Sequence, residues 1–145
     1  MLENQLLKYL KNMQKSSKVL FVCRGNTCRS AMAEALAKCY SKENKVFESA
    51  GWQVNSISAN PKAVHTLWKY YDIDLSSHTP KQVNDINLNS YEQIVVLDEM
   101  VFQKMKTQYA RLPLRLYALP DPFGGTDLDY RQCTKDLMRF IERNF

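Results

Sequence analysis

The chain has 145 residues, 45% hydrophobic and 24% charged, with a formal net charge of +5. These values fit a single globular domain that buries enough surface to fold without a disulfide or a structural metal. The basic residues are scattered along the chain, which argues against a nucleic-acid arm. The four cysteines (23, 28, 39 and 133) and two histidines (65 and 78) form no zinc-spaced set, so neither metal nor cofactor is expected.

Leu2, Leu6, Leu7, Leu10 and Met13 recur at helical spacing and predict an amphipathic helical extension over residues 1–17, ahead of a domain over 18–145. Glu3, Lys8, Lys11 and Lys15 interrupt its apolar face, so it reads neither as a secretory signal nor as a membrane anchor, and reduced thiols in the cytoplasm are the expected setting. Lys18 to Cys23 is a continuous apolar run, typical of a strand buried on both faces. A polar loop from Arg24 to Arg29 follows, and Ser30 opens a helix over 31–40. A short strand is expected over 45–49, a helix from Asn60-Pro61 to about Tyr71, a buried strand over 93–98 and a helix over 99–109. A last strand is expected over 115–117, a glycine-containing loop over 121–126 and a final helix over 127–143. Buried strands alternating with helices predict an α/β fold: a single domain with a four-stranded parallel sheet, helices on both faces, and a loop of special interest after the first strand.

That loop reads Cys23-Arg24-Gly25-Asn26-Thr27-Cys28-Arg29-Ser30. It falls at the carboxyl end of a strand in an open parallel sheet, where such folds bind ligands. Backbone N–H groups at the start of the following helix favour an anion, and Arg29 adds a planar fork suited to two phosphate oxygens. The same field favours the thiolate form of Cys23, and Ser30 can donate a hydrogen bond to it. Gly25 and Asn26 are residue types that tolerate left-handed backbone angles, as a loop wrapped around an anion demands. The spacing therefore points to a phosphate loop with a nucleophilic cysteine. Walker-type and dinucleotide-type glycine motifs are absent.

From Val22 to Ser30 the chain resembles the phosphate loop of the low-molecular-weight protein tyrosine phosphatases. Ala33-Glu34, Ser49-Ala50-Gly51, Ser77-His78 and Asp121-Pro122-Phe123-Gly124 resemble further motifs of that family, in the same order. The resemblance covers about residues 18–145. It implies hydrolysis of phosphotyrosine on proteins through a cysteinyl-phosphate intermediate. Cys23 would be the nucleophile, Arg29 the phosphate ligand and Asp121 the general acid. Asn26, Ser49 and His78 would hold the loop, and Ser30 would stand at the thiolate. Phosphorylated proteins are the implied partners, and inorganic phosphate or vanadate the implied small ligands.

Several positions depart from the family pattern. Ala31 stands where a proline is usual, and Gly124 where a second aromatic is usual. Arg24 replaces a leucine or threonine and is expected at the pocket mouth. Thr27 replaces the bulkier isoleucine of tyrosine-specific members and matches members that act on phosphoarginine, as do Asp121 to Gly125 and the tail from Asp129-Tyr130. Protein arginine phosphatase is thus the alternative substrate reading. Thr27, Trp52 and Phe123 are the expected pocket residues.

Arsenate reductases share the resemblance but need partner thiols near residues 97–100, where this chain reads Leu97-Asp98-Glu99-Met100. Cys39 and Cys133 are expected to be core thiols instead. A non-catalytic phosphate-binding module would lack Cys23 or Asp121, and both are present. Cys23 and Cys28 bracket one tight loop, which opens the alternatives of a reversible disulfide or of simple packing by Cys28.

Overall fold

The structure is a computed structural model that describes residues 2–145, with the side chains of residues 11–16 outside the description. Met1 and the Met13 side chain of the predicted apolar stripe therefore lie outside the described residues. Helix α1 spans Leu2–Ser16, and its Leu2, Leu6, Leu7 and Leu10 side chains are exposed.

The domain that follows comprises β1 (Lys18–Cys23), α2 (Arg29–Tyr40), β2 (Val46–Gly51), α3 (Pro61–Tyr71), β3 (Gln93–Val96), α4 (Glu99–Gln108), β4 (Leu114–Leu116) and α5 (Asp127–Asn144). The four strands form one sheet in the order β2-β1-β3-β4, and every pairing is parallel. The expected fold class is thus observed. Two short 3-10 turns, Val83–Asp85 and Leu88–Ser90, were not foreseen, because three-residue turns leave no periodic pattern to read.

Alternation along β1 divides the core. Val19, Phe21 and Cys23 face a layer built from α2, α3 and α5, whereas Leu20 and Val22 face one that includes Val101 and Met105 of α4. Burial on both faces explains why β1 is apolar throughout.

Element ends obey capping chemistry that sets the final boundaries. Asn60 caps α3 by accepting from the Lys62 N–H, with Pro61 at the first helical position. Thr126 and Asp129 form a reciprocal capping box at the start of α5. Asp98 was expected inside the third strand. It lies beyond β3 and caps α4, its carboxylate accepting from the Val101 N–H at 3.0 Å.

Strand β1 is flanked by β2 on one side and β3 on the other, so the chain leaves it first toward one edge and later toward the opposite one. The β1–α2 loop sits at this switch point, where the crevice of an open α/β sheet lies.

Candidate active site

The β1–α2 loop is fixed from outside by its carbonyl groups. The Cys23 carbonyl accepts from Trp52 N–H at 3.0 Å, that of Arg24 from Gln53 N–H at 2.8 Å, and that of Thr27 from Asn60 N–H at 3.0 Å; the Asn26 carbonyl lies 2.9 Å from His78 Nε2. In a trans peptide the next N–H points opposite to the carbonyl. The N–H groups of Arg24, Gly25, Thr27 and Cys28 are therefore turned away from these neighbours, toward the side on which the loop lines a cavity of about 280 Å³. A ring of inward donors at a helix N-terminus is an anion cradle.

Asn26 holds the loop from inside. It adopts the left-handed region with φ of 58°, and its side chain is fully buried. Its Nδ2 donates to Ser30 Oγ at 2.7 Å and to Ser49 Oγ at 2.9 Å, and its Oδ1 accepts from Lys81 N–H at 3.0 Å. Gly25 shares no such angle, contrary to expectation. The glycine that the loop does require is Gly51, where a Cβ would stand 2.9 Å from the Gly25 carbonyl carbon and 3.0 Å from the Arg24 oxygen.

Sequence reasoning assigned no role to Glu34, which accepts from Ser49 Oγ at 2.8 Å. Glu34 is four residues beyond Ser30, hence on the same face of α2, and that spacing was a readable signal. Gln82 was also missed. Its side chain accepts from Val54 N–H at 2.9 Å and donates to the Trp52 carbonyl, clamping the segment that staples the loop. Gln82 lies in a stretch without periodicity, and nothing in the sequence marks it.

The Cys23 sulfur is almost completely buried. It lies 2.9 Å from Ser30 Oγ and accepts from the Asn26 N–H at 3.3 Å. Ser30 Oγ accepts from Asn26 Nδ2, and its own hydrogen has two acceptors within reach, the sulfur at 2.9 Å and the Ala50 carbonyl at 3.4 Å. Both contacts of the sulfur favour negative charge there.

Arg29 is 2% exposed. Its Nη1 is tied to Asp98 Oδ1 at 3.0 Å and to the carbonyls of Leu119 at 3.1 Å and Leu97 at 3.3 Å, while Nη2 lies 3.5 Å from Asp121 Oδ2. One nitrogen is thus anchored to the scaffold, and the other faces the cavity beside Asp121. Burial pushes the Asp98 carboxyl up, but the Val101 N–H and the Arg29 guanidinium outweigh it and hold the group below the usual carboxylate range.

The opposite rim is the β4–α5 loop. Asp121 Oδ1 accepts from the Phe123 N–H at 3.0 Å, which aims the carboxyl back over the cavity that Cys23 and Arg29 also line. Gly124, at φ of 78°, makes the turn. Arg24, Gly25, Thr27, Cys28 and Phe123 line the cavity too. Trp52 does not. It packs against the second core layer beneath the sheet, because its N–H and carbonyl hold it in the stapling segment; the neighbouring Gln53, Asn55 and Ser56 form that wall instead.

Cys28 is buried below the loop, 3.4 Å from Tyr130 Oη and 3.7 Å from Thr27 Oγ1. Burial is the main cause that raises its pKa, and burial also pushes the Cys133 thiol up to about 12. Cys39, expected in the core, is exposed: it lies near the end of α2 on the helix face turned from the sheet.

Residues 18–143 match the family described as low molecular weight phosphotyrosine protein phosphatase. The chain belongs to that family. An arsenate reductase of Staphylococcus aureus (strain N315) is 37% identical over 125 residues, covering 86% of this chain and 93% of its own. A low molecular weight protein tyrosine phosphatase from T. tengcongensis is 28% identical and superposes with a TM-score of 0.82, over 88% of this chain and 97% of that one. The YwlE arginine phosphatase, in a mutant with a phosphorylated active-site serine, is 26% identical with a TM-score of 0.79, over 87% and 91% of the two chains.

Proposed function

We propose that this chain hydrolyses phosphotyrosine on proteins through a cysteinyl-phosphate intermediate. One observation carries the reading: the Cys23 sulfur, the free side of Arg29 and the Asp121 carboxyl line a single cavity, with Ser30 Oγ 2.9 Å from the sulfur. The phosphoryl group would occupy the loop, its oxygens held by the inward N–H groups and by Arg29. The Cys23 thiolate attacks phosphorus, the ester P–O bond breaks, and Asp121 gives its proton to the departing phenol oxygen. Asp121, now a carboxylate, takes a proton from water as that water attacks phosphorus, forming a P–O bond while the S–P bond breaks. Inorganic phosphate leaves, and the thiolate is restored. Ser30 and Asn26 stabilise the charge on sulfur at the start and end of the cycle. Release of phosphate from para-nitrophenyl phosphate and from a phosphotyrosine peptide tests the reading, and a folded protein inert toward both would refute it.

Phosphoarginine is the second reading, favoured by Thr27. Its Oγ1 faces a partner as weak as the Cys28 sulfur at 3.7 Å, in a cavity whose far wall is the polar set Gln53, Asn55 and Ser56. A hydroxyl with capacity to spare suits a polar leaving group better than a phenyl ring. Arsenate reduction lacks support from the thiols: Cys133 is buried with a raised pKa, and the turn from Leu97 to Met100 carries no sulfhydryl.

Residues 18–145 would be the catalytic unit, and residues 1–17 an extension of it. Among the described residues no helix is long and apolar enough to cross a membrane. The abundance of free thiols suits a cytoplasmic setting.

A further inference from the structure

The hydrolytic scheme leaves one charge at the cavity unused. Arg24 lies between Cys23 and Gly25, its backbone pinned by the bond from Gln53 N–H to its carbonyl. Its side chain is exposed, and its Nη2 meets the Met100 thioether at 3.9 Å, over the first turn of α4. A thioether is a weak acceptor and leaves most of the guanidinium donors available. The acidic groups on that turn are Asp98 and Glu99. Asp98 is committed by hydrogen bonds to Arg29 and to the Val101 N–H, each at 3.0 Å, and feels the Arg24 charge only through space as the smallest of its influences, while Glu99 is exposed. Across the mouth the wall of Gln53, Asn55 and Ser56 is neutral. The acid on the remaining side, Asp121, is turned toward Arg29.

We infer that Arg24 is a second anion-recognising group, selecting phosphopeptides that carry an acidic side chain next to the phosphorylated residue. The inference rests on the reading of the cavity as a phosphopeptide site. With phosphate seated in the loop, the flanking residues of a peptide pass over the rim, where an exposed guanidinium can take a carboxylate without first being desolvated. Because the pair stays wet, its effect is on choice and is sensitive to salt. The same charge opposes a substrate whose leaving group ends as a guanidinium.

The test uses two phosphotyrosine peptides that differ in having glutamate or lysine on either side of the phosphotyrosine. At low salt kcat/KM should favour the acidic peptide by about two- to fivefold, the range of an exposed ion pair, and high salt should shrink the ratio. Arg24→Gln should bring the ratio close to one, and Arg24→Glu should reverse it. A ratio that both variants leave unchanged overturns the inference while turnover still supports the phosphatase reading. The same peptides titrated into Cys23→Ser, with and without Arg24→Gln, report the preference as a ratio of Kd values independent of turnover. An acidic preference that disappears with Arg24 there, in a protein whose wild type hydrolyses neither peptide, would sink the phosphatase reading and leave the role of Arg24 standing.

Discussion

The loop from Cys23 to Arg29 and the loop from Asp121 to Thr126 close on one cavity, yet the first is buried and cross-bonded while the second stands in solvent. Asn26, Cys28 and Arg29 are each less than 5% exposed, and the loop carbonyls are taken up by the segments around Trp52, Asn60 and His78. The Asp121 side chain is 43% exposed, Phe123 is 70% exposed, and the turn is closed by local bonds such as Gly125 N–H to the Pro122 carbonyl at 2.8 Å. The contrast suits the two tasks proposed for them. An anion cradle works by having its dipoles in place before the charge arrives, so its cost is met in folding. A proton donor must reach leaving groups of different shape, and an exposed turn whose backbone is closed by short-range bonds, with Lys62 Nζ on the Gly125 carbonyl and Arg29 beside Asp121 as its links to the rest, leaves room for them.

The comparison predicts that damage to the buried loop is severe and damage to the exposed loop is graded. The largest effect is expected from Cys23→Ser, which should abolish nearly all phosphate release, since a serine hydroxyl is a far weaker nucleophile at neutral pH. Vanadate should still bind, as titration calorimetry can show. Arg29→Lys should fail almost as badly, because an ammonium cannot serve Asp98, two carbonyls and a phosphate together. Near-normal turnover in either variant would end the proposed mechanism.

Asp121→Asn comes next. General acid help is typically worth about 10²–10⁴-fold. The loss should be greatest for phenols with high pKa and small for para-nitrophenol, and the unfolding midpoint in urea should hold. A uniform loss across leaving groups would mean that Asp121 acts only on binding or folding.

Asn26→Ala tests the frame itself. The variant forces alanine into the left-handed region, leaves the part-buried Lys81 N–H without its acceptor and removes a donor from the Ser30 and Ser49 hydroxyls, so a loss of about 2–4 kcal/mol of stability is expected. The value of kcat should fall more than KM rises, because the preorganised state is what is lost. Unchanged urea unfolding would show that Asn26 does not hold this loop.

The smallest effect concerns Thr27→Ile. The substitution fills the cavity with apolar volume and should depress phosphoarginine turnover several-fold more than phosphotyrosine turnover, since a polar group buried without partners is costly. Equal response of both substrates would remove the support for the arginine reading.

The buried loop was also the more legible of the two. An apolar strand ending in a cysteine, with an arginine six residues on at a helix start, encodes local geometry, and β1 begins and ends where the sequence pattern put it. Asn60-Pro61 likewise announced α3, because capping is a local matter. What stayed hidden depends on contacts distant in sequence. Lys81 reaches the loop, and Gln82 the segment that staples it, from a stretch without periodicity, and Gly51 matters only because two backbones meet there. Trp52 was misplaced for the same reason: its neighbours in sequence line the mouth, but the backbone bonds that hold the segment turn its ring to the core. Cys39 was assigned to the interior by residue type, whereas the turn of α2 decides the matter.

A relay of polar side chains runs from Lys38 through Glu34, Ser49, Asn26 and Ser30 to the Cys23 sulfur, joining α2, β2 and the loop between β1 and α2. Local opening between Ser49 and Cys23 would leave several buried polar atoms unpaired at once, so the loop has no inexpensive partly open state. The backbone amides that donate into it, those of Lys81 and Asn26, should accordingly exchange with solvent as one unit. The Lys81 amide lies outside helix and strand yet donates to Asn26 Oδ1. It should exchange as slowly as amides of β1, through global unfolding alone, while the Phe123 and Gly125 amides of the facing loop exchange orders of magnitude faster.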